Sequence, residues 1–130
     1  MPSTINNSCV FCNLPEPRVI AENETCISVR DGYPVSLGHT LIIAKRHVAS
    51  FFELSLKEQT DLLSLLGSSK LQLEKEFKPD GYNVGINIAP VAGQTVQHVH
   101  VHLIPRYFGD VSDPRGGVRW VIPSKADYWS

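Results

Sequence analysis

Histidine and apolar residues alternate strictly over one stretch in the last third of the chain, residues 98–103. The histidines are His98, His100 and His102, and each is followed by a valine or a leucine. Successive side chains of a β-strand point to opposite faces of the sheet. The alternation therefore predicts a strand with one apolar face for the core and one face that carries three imidazoles about 7 Å apart.

Three other segments predict strands of the same sheet. Residues 19–24 are followed by residues 25–30, in which side chains of two kinds alternate and many are β-branched. Residues 40–45 form the apolar run of a central strand. Residues 82–88 alternate as well. We expect the polar face of this last segment beside the histidines, and it carries Asn83, Gly85 and Asn87.

One long amphipathic helix is predicted between these strands. Ser55 and Glu58 have the spacing of a capping box, and the Lys-Pro-Asp-Gly sequence at residues 78–81 ends a helix, so we expect helix over residues 56–77. We interpret the helix as scaffold, and part of its stripe can serve a subunit contact. The predicted fold is α+β, with the helix packed on a meandering antiparallel sheet. The apolar stripe of the helix comprises Leu62, Leu63, Leu65, Leu66 and Leu73.

Length and charge narrow the possible classes of protein. The 130 residues are 42% hydrophobic and 19% charged, which fits a single domain over residues 1–130 with a substantial core. A net charge of −1 argues against nucleic acid as a partner, although a nucleotide needs only a few local donors. No apolar run approaches the roughly 18 residues of a membrane span, and residues 1–8 resemble a loose polar tail without a signal core. We expect a cytoplasmic protein with no membrane partner.

The three cysteines include one pair with metal or redox spacing, Cys9-x-x-Cys12. A redox pair needs a helix that opens at the second cysteine, and Pro15 and Pro17 leave room only for a short turn. A metal site needs two more ligands, for which His47 is a candidate and His98 another. We interpret the third cysteine, Cys26, as a small core residue.

The histidine row has three possible chemical uses near neutral pH. Imidazole is a nucleophile, a general acid or base, and a metal ligand. Because His100 is flanked on both sides, it is the best-held nucleophile of the three. The outer two, His98 and His102, can bind a metal or donate hydrogen bonds to an anionic substrate.

Residues 98–104 resemble the His-φ-His-φ-His-φ-φ signature of the histidine triad (HIT) superfamily, where φ is apolar. The preceding Gly93-Gln94-Thr95-Val96 is similar to the phosphate-side loop of that family, and Gly38-His39 lies upstream in the expected order. The resemblance covers nearly the whole chain except its last twenty or so residues. It implies the HIT-like fold, and it implies two subunits that pair as a homodimer to continue the sheet.

The resemblance also implies a mechanism. His100 would attack the α-phosphate of a nucleotide to give a covalent nucleotidyl-histidine, and His102 would donate to the non-bridging oxygens. Gln94 and Thr95 would orient the α-phosphate and the leaving group, while His98 holds position. We therefore expect a nucleotide hydrolase or nucleotidyl transferase that acts on a purine dinucleoside polyphosphate or nucleoside phosphoramidate.

Three more residues receive roles from the resemblance. Asp31 would accept from the ribose hydroxyls, although a carboxylate that caps a turn explains the same residue. Asn87 would contact phosphate or ribose. His39 would lie close behind the triad and fix the tautomer of an imidazole.

The metal set follows from the same resemblance. Cys9, Cys12, His47 and His98 match a Cys₂His₂ set that many HIT proteins use, which would hold a structural Zn²⁺. The alternative is a degenerate site that retains only buried thiols.

Two other functions remain open on the sequence alone. A metallohydrolase would use the triad itself as ligands for a catalytic metal. A nucleotide-binding sensor would keep the fold without turnover, although the intact triad makes this the weaker interpretation.

The segment over residues 110–130 is a C-terminal arm similar to the tail of a bacterial subgroup of HIT hydrolases. Arg115 or Arg119 can pair with distal phosphates or with the leaving group if the arm folds over the site. An equally supported interpretation is an arm that packs on a partner subunit, with aromatic anchors at Trp120, Tyr128 and Trp129.

Overall fold

Five antiparallel strands form one sheet within residues 8–130, the part of the chain that the computed structural model describes. The expected loose tail lies outside the described residues except for Ser8. The strands are β1 (Val19–Glu22), β2 (Cys26–Arg30), β3 (Thr40–Ala44), β4 (Gly81–Gly85) and β5 (His100–Arg106). The helices are α1 (Leu56–Glu76) and the four-residue α2 (Pro123–Ala126), and 3₁₀ turns lie at Glu16–Arg18, Phe51–Glu53, Pro90–Ala92 and Gly117–Val121.

The order of strands in the sheet is β1-β2-β3-β5-β4, and all neighbours are antiparallel. The central strand β3 is buried along its whole length, as its apolar run predicts. The α+β prediction is therefore confirmed. Neither α1 nor α2, the helices among the described residues, combines the length and apolarity of a transmembrane segment.

The two faces of β5 divide as the alternation predicts from His100 onward, but the predicted strand starts too early, because His98 and Val99 lie before β5 and His98 is in a bend. Val99 and Val101 join the core cluster that also holds Leu62 and Leu65 of α1, so the helix covers the face opposite His100 and His102. Burying each such leucine stabilises the fold by roughly 1.5–3 kcal/mol. The helix thereby holds the sheet that carries the histidines.

Helix α1 begins where the capping box predicts and ends at Glu76, one residue before the predicted end. The Ser55 side chain accepts from the backbone N–H of Glu58, whose own carboxylate accepts from the Ser55 N–H. The predicted apolar stripe is wrong at Leu63, which is 58% exposed. The buried face instead follows Leu62, Leu65, Ser69 and Leu73, a spacing of three and four residues that keeps one side of the helix on the sheet.

The register of β4 against β5 places the polar face of β4 beside the histidines. Gly85 pairs with His102 and Asn83 pairs with Ile104, so both share the histidine face as predicted. The predicted strand over residues 82–88 is too long, because β4 ends at Gly85. The chain then turns through Ala89, which has a positive φ of 75°, into the turn that starts at Pro90.

Candidate active site

His100 makes one hydrogen bond that fixes its tautomer. Its Nδ1 lies 2.7 Å from the backbone oxygen of His98, and a carbonyl oxygen can only accept, so Nδ1 carries the proton. The lone pair of the imidazole is therefore on Nε2. His100 is buried, with 8% of the residue exposed, and Phe11 packs edge-on against its ring with ring centroids 4.8 Å apart. This arrangement suits a held nucleophile.

His102 and His39 are joined by a hydrogen bond of 2.9 Å between Nδ1 of His102 and Nε2 of His39. Nδ1 of His39 accepts from the backbone N–H of Val35 at 3.1 Å. Nε2 of His39 therefore carries the proton and donates it to Nδ1 of His102. His102 is left with its own proton on Nε2, where it can donate to a substrate oxygen.

Asp31 stands beside this histidine pair. Its Oδ2 lies 3.4 Å from Nε2 of His39 and 4.0 Å from Nδ1 of His102. Its other oxygen accepts from the backbone N–H of Tyr33 at 2.8 Å, so Asp31 does cap the turn. The turn thus occupies one carboxylate oxygen of Asp31 and leaves the other one for a ligand. The predicted contact with ribose stays a prediction.

Burial keeps the histidine pair neutral. It lowers the pKa of His39, and the negative charge of Asp31 has a smaller effect in the opposite direction. Burial also lowers the pKa of His102, and the neighbouring His100 and His39 lower it further. Two neutral imidazoles can sustain the hydrogen bond between them, whereas a proton on Nδ1 of His102 would oppose it.

The metal set predicted from the sequence is assembled beside the start of β5. Nδ1 of His98 lies 3.5 Å from Sγ of Cys9, 3.5 Å from Sγ of Cys12 and 3.1 Å from Nδ1 of His47. Sγ of Cys12 is 3.3 Å from Nδ1 of His47. The four ligand atoms all lie within 4.8 Å of one another. The fold therefore brings together residues that are up to 89 positions apart in sequence.

These distances fit a tetrahedral zinc site. With Zn–S about 2.3 Å and Zn–N about 2.0–2.1 Å, neighbouring ligands lie about 3.5 Å apart for sulfur and nitrogen and about 3.3 Å apart for two nitrogens. Nε2 of His98 lies 2.6 Å from the backbone oxygen of Ala44 and must donate, so its Nδ1 has a lone pair directed at the thiols. The donor set and its tautomer both suit Zn²⁺.

The three triad histidines do not converge on one point. The ring of His98 is turned to the cysteines, while the ring of His100 bonds to the backbone through Nδ1. Among the described residues, no cluster of metal-binding groups contains all three of them. Asp31, His39 and His102 do form a close trio, but the hydrogen bond between the two imidazoles accounts for it. This geometry disfavours a catalytic metal on the triad.

Gln94 is engaged differently from the sequence expectation. Its Oε1 accepts from the N–H of Ala89, and its Nε2 donates to the backbone oxygens of Ala49 and Val96. The side chain is buried, and all its hydrogen-bonding groups are used within the protein. In the structure Gln94 holds the loop before the triad, and its predicted contact with phosphate stays a prediction.

The two other residues that were expected to contact the nucleotide, Asn87 and Thr95, line different cavities. Asn87 is half-buried and lines a cavity of about 620 Å³ that also reaches His39 and His102. Thr95 is exposed and lines a smaller cavity of about 280 Å³ beside Cys9 and His47.

Sequence reasoning missed Arg106, which lines the larger cavity. Its guanidinium donates to both carboxylate oxygens of Asp110 and to Oδ1 of Asn83. Arg106 lies an even number of positions after His102, so the same alternation that placed the histidines on one face could have found it.

The C-terminal arm folds onto its own chain. Its turn at Gly117–Val121 lies against β4, and Gly117 approaches the amide of Asn83 so closely that a Cβ would sit 3.3 Å from Nδ2. Neither Arg115 nor Arg119 lines the larger cavity, and their predicted pairing with phosphates or with the leaving group stays a prediction. Arg115 pairs with Asp113, and Arg119 donates to the last carbonyls of α2.

The chain matches the HIT domain family model over residues 15–109. A HIT-like protein of Mycoplasma genitalium is 36% identical over 111 residues, covering 82% of this chain and 79% of that protein. An adenosine 5'-monophosphoramidase of Schizosaccharomyces pombe is 36% identical over 103 residues, covering 76% and 74%. A bis(5'-nucleosyl)-tetraphosphatase of the same yeast is 41% identical over 80 residues, which are 62% of this chain and 44% of that enzyme.

Solved structures of the same family have the same fold. A HIT family protein from Bacillus anthracis superposes with a TM-score of 0.74 at 33% identity over 80% of this chain and 77% of that one. A zinc-bound histidine triad family protein from Mycobacterium smegmatis superposes with a TM-score of 0.72 at 30% identity over 79% and 78%.

Proposed function

The chain belongs to the HIT domain family, and we propose that it hydrolyses or transfers nucleotides at the α-phosphate through a covalent intermediate on His100. The observation that carries this proposal is the bond from Nδ1 of His100 to the oxygen of His98, which leaves the lone pair on Nε2. The activities of the phosphoramidase and tetraphosphatase relatives support the same reaction class. Both act on bonds between phosphorus and a leaving group.

The reaction has two displacement steps. Nε2 of His100 forms a bond to the α-phosphorus while the bond from phosphorus to the leaving atom breaks, and the leaving group keeps the electron pair. An amine leaving group takes up a proton from solvent as it departs, whereas a phosphate leaving group departs as an anion. Water then attacks phosphorus, its proton passes to solvent, the bond to Nε2 breaks, and the nucleoside monophosphate is released. In a transfer reaction another acceptor replaces the water.

His102 stabilises the charge that develops in these steps. Because His39 donates to its Nδ1, the proton on Nε2 of His102 can bond to a non-bridging oxygen of the phosphoryl group. A preorganised donor of this kind commonly contributes about a hundredfold or more to the rate.

The nucleotide contacts of the proposal are those of the sequence analysis. Asp31 would accept from the ribose hydroxyls with the carboxylate oxygen that is not bonded to the N–H of Tyr33. Asn87 would donate to phosphate or ribose. Thr95 would contact the phosphate side, and Gln94 would act mainly by holding that loop in place. Substitution of each residue, with KM measured for one substrate, tests these assignments one at a time.

We also propose that the cluster of two cysteines and two histidines binds structural Zn²⁺. The tetrahedral distances support it, as does the zinc-bound relative from Mycobacterium smegmatis. When bound, the ion would hold Cys9 and Cys12 against His47 and His98, which steadies the start of β5. We further propose a homodimer in the cytoplasm, which size measurement and localisation would test.

The decisive experiment is mass spectrometry of products and of trapped enzyme. The protein would be incubated with a panel of adenine and guanine nucleotides that includes a phosphoramidate and a dinucleoside polyphosphate. We expect release of a nucleoside monophosphate and an adduct of one nucleotidyl group, located on His100 by peptide mapping. Product without an adduct, even after rapid acid quenching, would contradict the covalent mechanism. Binding without product would leave a nucleotide sensor.

A further inference from the structure

The turn over residues 9–13, which we call the cysteine turn, holds Cys9 and Cys12 close together. The side-chain amide of Asn13 donates to the backbone oxygen of Cys9 at 2.7 Å, and the backbone N–H of Asn13 donates to the oxygen of Val10 at 3.4 Å. The two Sγ atoms lie within 4.8 Å of each other, and both cysteines are partly exposed. A change of side-chain rotamer therefore suffices to bring the two sulfurs into bonding distance.

A small oxidant can reach this pair at Cys9. Cys9 lines the cavity of about 280 Å³ beside His47. That volume is many times the roughly 30 Å³ that one water molecule occupies. Hydrogen peroxide is only slightly larger than water, so it can approach Sγ of Cys9 through the cavity. Sγ of Cys12 is then the neighbouring thiol that can react with a modified Cys9.

Phe11 connects the cysteine turn to the nucleophile. It stands between the two cysteines in sequence, and its ring lies edge-on to the rings of His100 and His98, with centroids 4.8 and 6.0 Å apart. Phe11 also packs against core residues of β2 and β3. A bond between the flanking cysteines changes the shape of the turn at Phe11 and so withdraws its ring from His100.

The proposed metal opposes such a bond. As zinc ligands, both cysteines would be thiolates held at two corners of a tetrahedron, with His47 and His98 at the others. A disulfide sulfur carries no negative charge and is a poor zinc ligand. Metal binding and a bond between Cys9 and Cys12 therefore exclude each other.

From these observations we infer that Cys9 and Cys12 are a modification site, at which a peroxide forms a disulfide that excludes the metal and withdraws Phe11 from His100. The effect on turnover rests on the proposed function, whereas the disulfide itself does not. The modified protein keeps its fold on the packed sheet and helix but holds its nucleophile less firmly.

The chemistry has two displacements at sulfur and oxygen. The thiolate of Cys9 attacks one oxygen of hydrogen peroxide, the O–O bond breaks, and hydroxide leaves to give a sulfenic acid. The thiolate of Cys12 attacks the sulfur of Cys9, the S–O bond breaks, and a second hydroxide leaves. With two protons from solvent, the two hydroxides become two waters. The two sulfurs are oxidised and the peroxide is reduced.

Cys26 provides an internal reference for this reaction. It is fully buried, and burial raises the pKa of its thiol, so the reagent does not reach it and little thiolate forms. Cys26→Ser leaves two cysteines in the chain, so every oxidised thiol in that variant belongs to the cysteine turn.

The test treats zinc-containing wild type and Cys26→Ser with a small excess of hydrogen peroxide and a dye that binds released zinc. We expect zinc release in step with the loss of two hydrogens from the intact mass, and peptide mapping should locate the bond between Cys9 and Cys12. The NMR signal of the His100 ring should move as the ring current of Phe11 is lost. The kcat for one adenosine phosphoramidate should fall about tenfold. A thiol reductant with added Zn²⁺ should restore all of these properties.

Two comparisons separate the disulfide from metal loss. Chelation of the reduced protein removes the metal without forming the bond, and it should lower kcat less than peroxide does. Phe11→Leu keeps an apolar side chain but removes the ring, so its kcat should already be low. Peroxide should still release zinc from Phe11→Leu while changing its kcat little further.

The outcomes distinguish this inference from the proposed function. Added oxygen in place of lost hydrogen, a disulfide between two chains on a non-reducing gel, or zinc retained by the disulfide form overturns the inference. A bond between Cys9 and Cys12 that leaves the His100 signal in place, or leaves kcat equal to that of the chelated protein, also overturns it. Absence of product from the reduced protein overturns the proposed function alone, because the mass, zinc and NMR measurements need no turnover.

Discussion

Nε2 of His39 lies 2.9 Å from Nδ1 of His102, although the two residues are 63 positions apart in sequence. The backbone N–H of Val35 occupies the other nitrogen of His39, so the direction of the hydrogen bond is fixed. His39 therefore decides which nitrogen of His102 carries a proton. It is a positioning residue, and its effect must pass through His102.

His39→Ala should lower kcat by about tenfold to a hundredfold with little change in KM, because His102 then loses its fixed tautomer. His39→Gln retains an amide donor and should recover part of the loss. Steady-state kinetics with one phosphoramidate would measure both variants, with circular dichroism to verify folding. Equal losses in the two variants, together with lower thermal stability, would instead identify His39 as a packing residue.

Activity should fall at acid pH because the His39–His102 bond needs neutral imidazoles. Burial lowers the pKa of both, so the active form is present above those lowered values and is lost as pH falls through them, below 6.5. Asp31 raises the pKa of both histidines, so Asp31→Asn should move the acid limb to lower pH. A limb that stays in place in Asp31→Asn, in the pH profile of kcat, would contradict this assignment.

His100→Ala should abolish turnover while the fold and nucleotide binding persist. Loss of a nucleophile costs several orders of magnitude in rate. Single-turnover kinetics and calorimetric binding of a nucleoside monophosphate would measure the two properties separately. The adduct on the protein should also disappear. A variant that keeps a tenth of the wild-type rate would mean that another group is the nucleophile.

The alternation of residues was enough to predict the face that carries the chemistry. His100 and His102 share a face because the side-chain period of a strand is two, and Asn83 and Gly85 join them through the register. The capping box at Ser55 likewise predicted the start of α1, because the signal is local in sequence. These features depend on neighbours that the sequence itself displays.

Features that depend on distant partners were harder to predict. The amide of Gln94 bonds to the oxygen of Ala49, 45 positions away, and no local pattern reveals that contact. Arg119 donates to a backbone oxygen of α2, and this contact depends on how the arm folds back. Leu63 is apolar and so belongs to the predicted stripe, although its position around the helix turns it to solvent.

The carboxylate of Glu58 should contribute to stability in a pH-dependent way. It accepts from Arg46 through both oxygens, and this pairing lowers its pKa from 4.5 to about 2. A lowered pKa gives stability that is complete above about pH 5 and is lost as pH falls from 4.5 toward 2. Since Arg46 is partly exposed, we expect Glu58→Gln to cost about 1–2 kcal/mol at pH 7.

Urea unfolding of Glu58→Gln and wild type at pH 7 and pH 3 would measure this contribution. The difference between the two proteins should shrink at pH 3, where the wild-type carboxylate has already lost much of its stabilising effect. Glu76→Gln is the matched control, because Glu76 pairs with Arg30 at the surface and should cost less. A difference that is the same at both pH values would show that the ionised carboxylate is not the cause of the lost stability.

Zinc content and stability should change together. Protein purified without added metal should contain about one zinc per chain by elemental analysis, and Cys12→Ser should lower both metal content and melting temperature, because metal binding is linked to folding. Cys26→Ser is the control, since its buried thiol lies outside the cluster and its loss should leave the metal content unchanged. Chelation should also reduce kcat partially, because Phe11 between the two cysteines packs on His100. A metal-free wild type of full stability would exclude a structural metal.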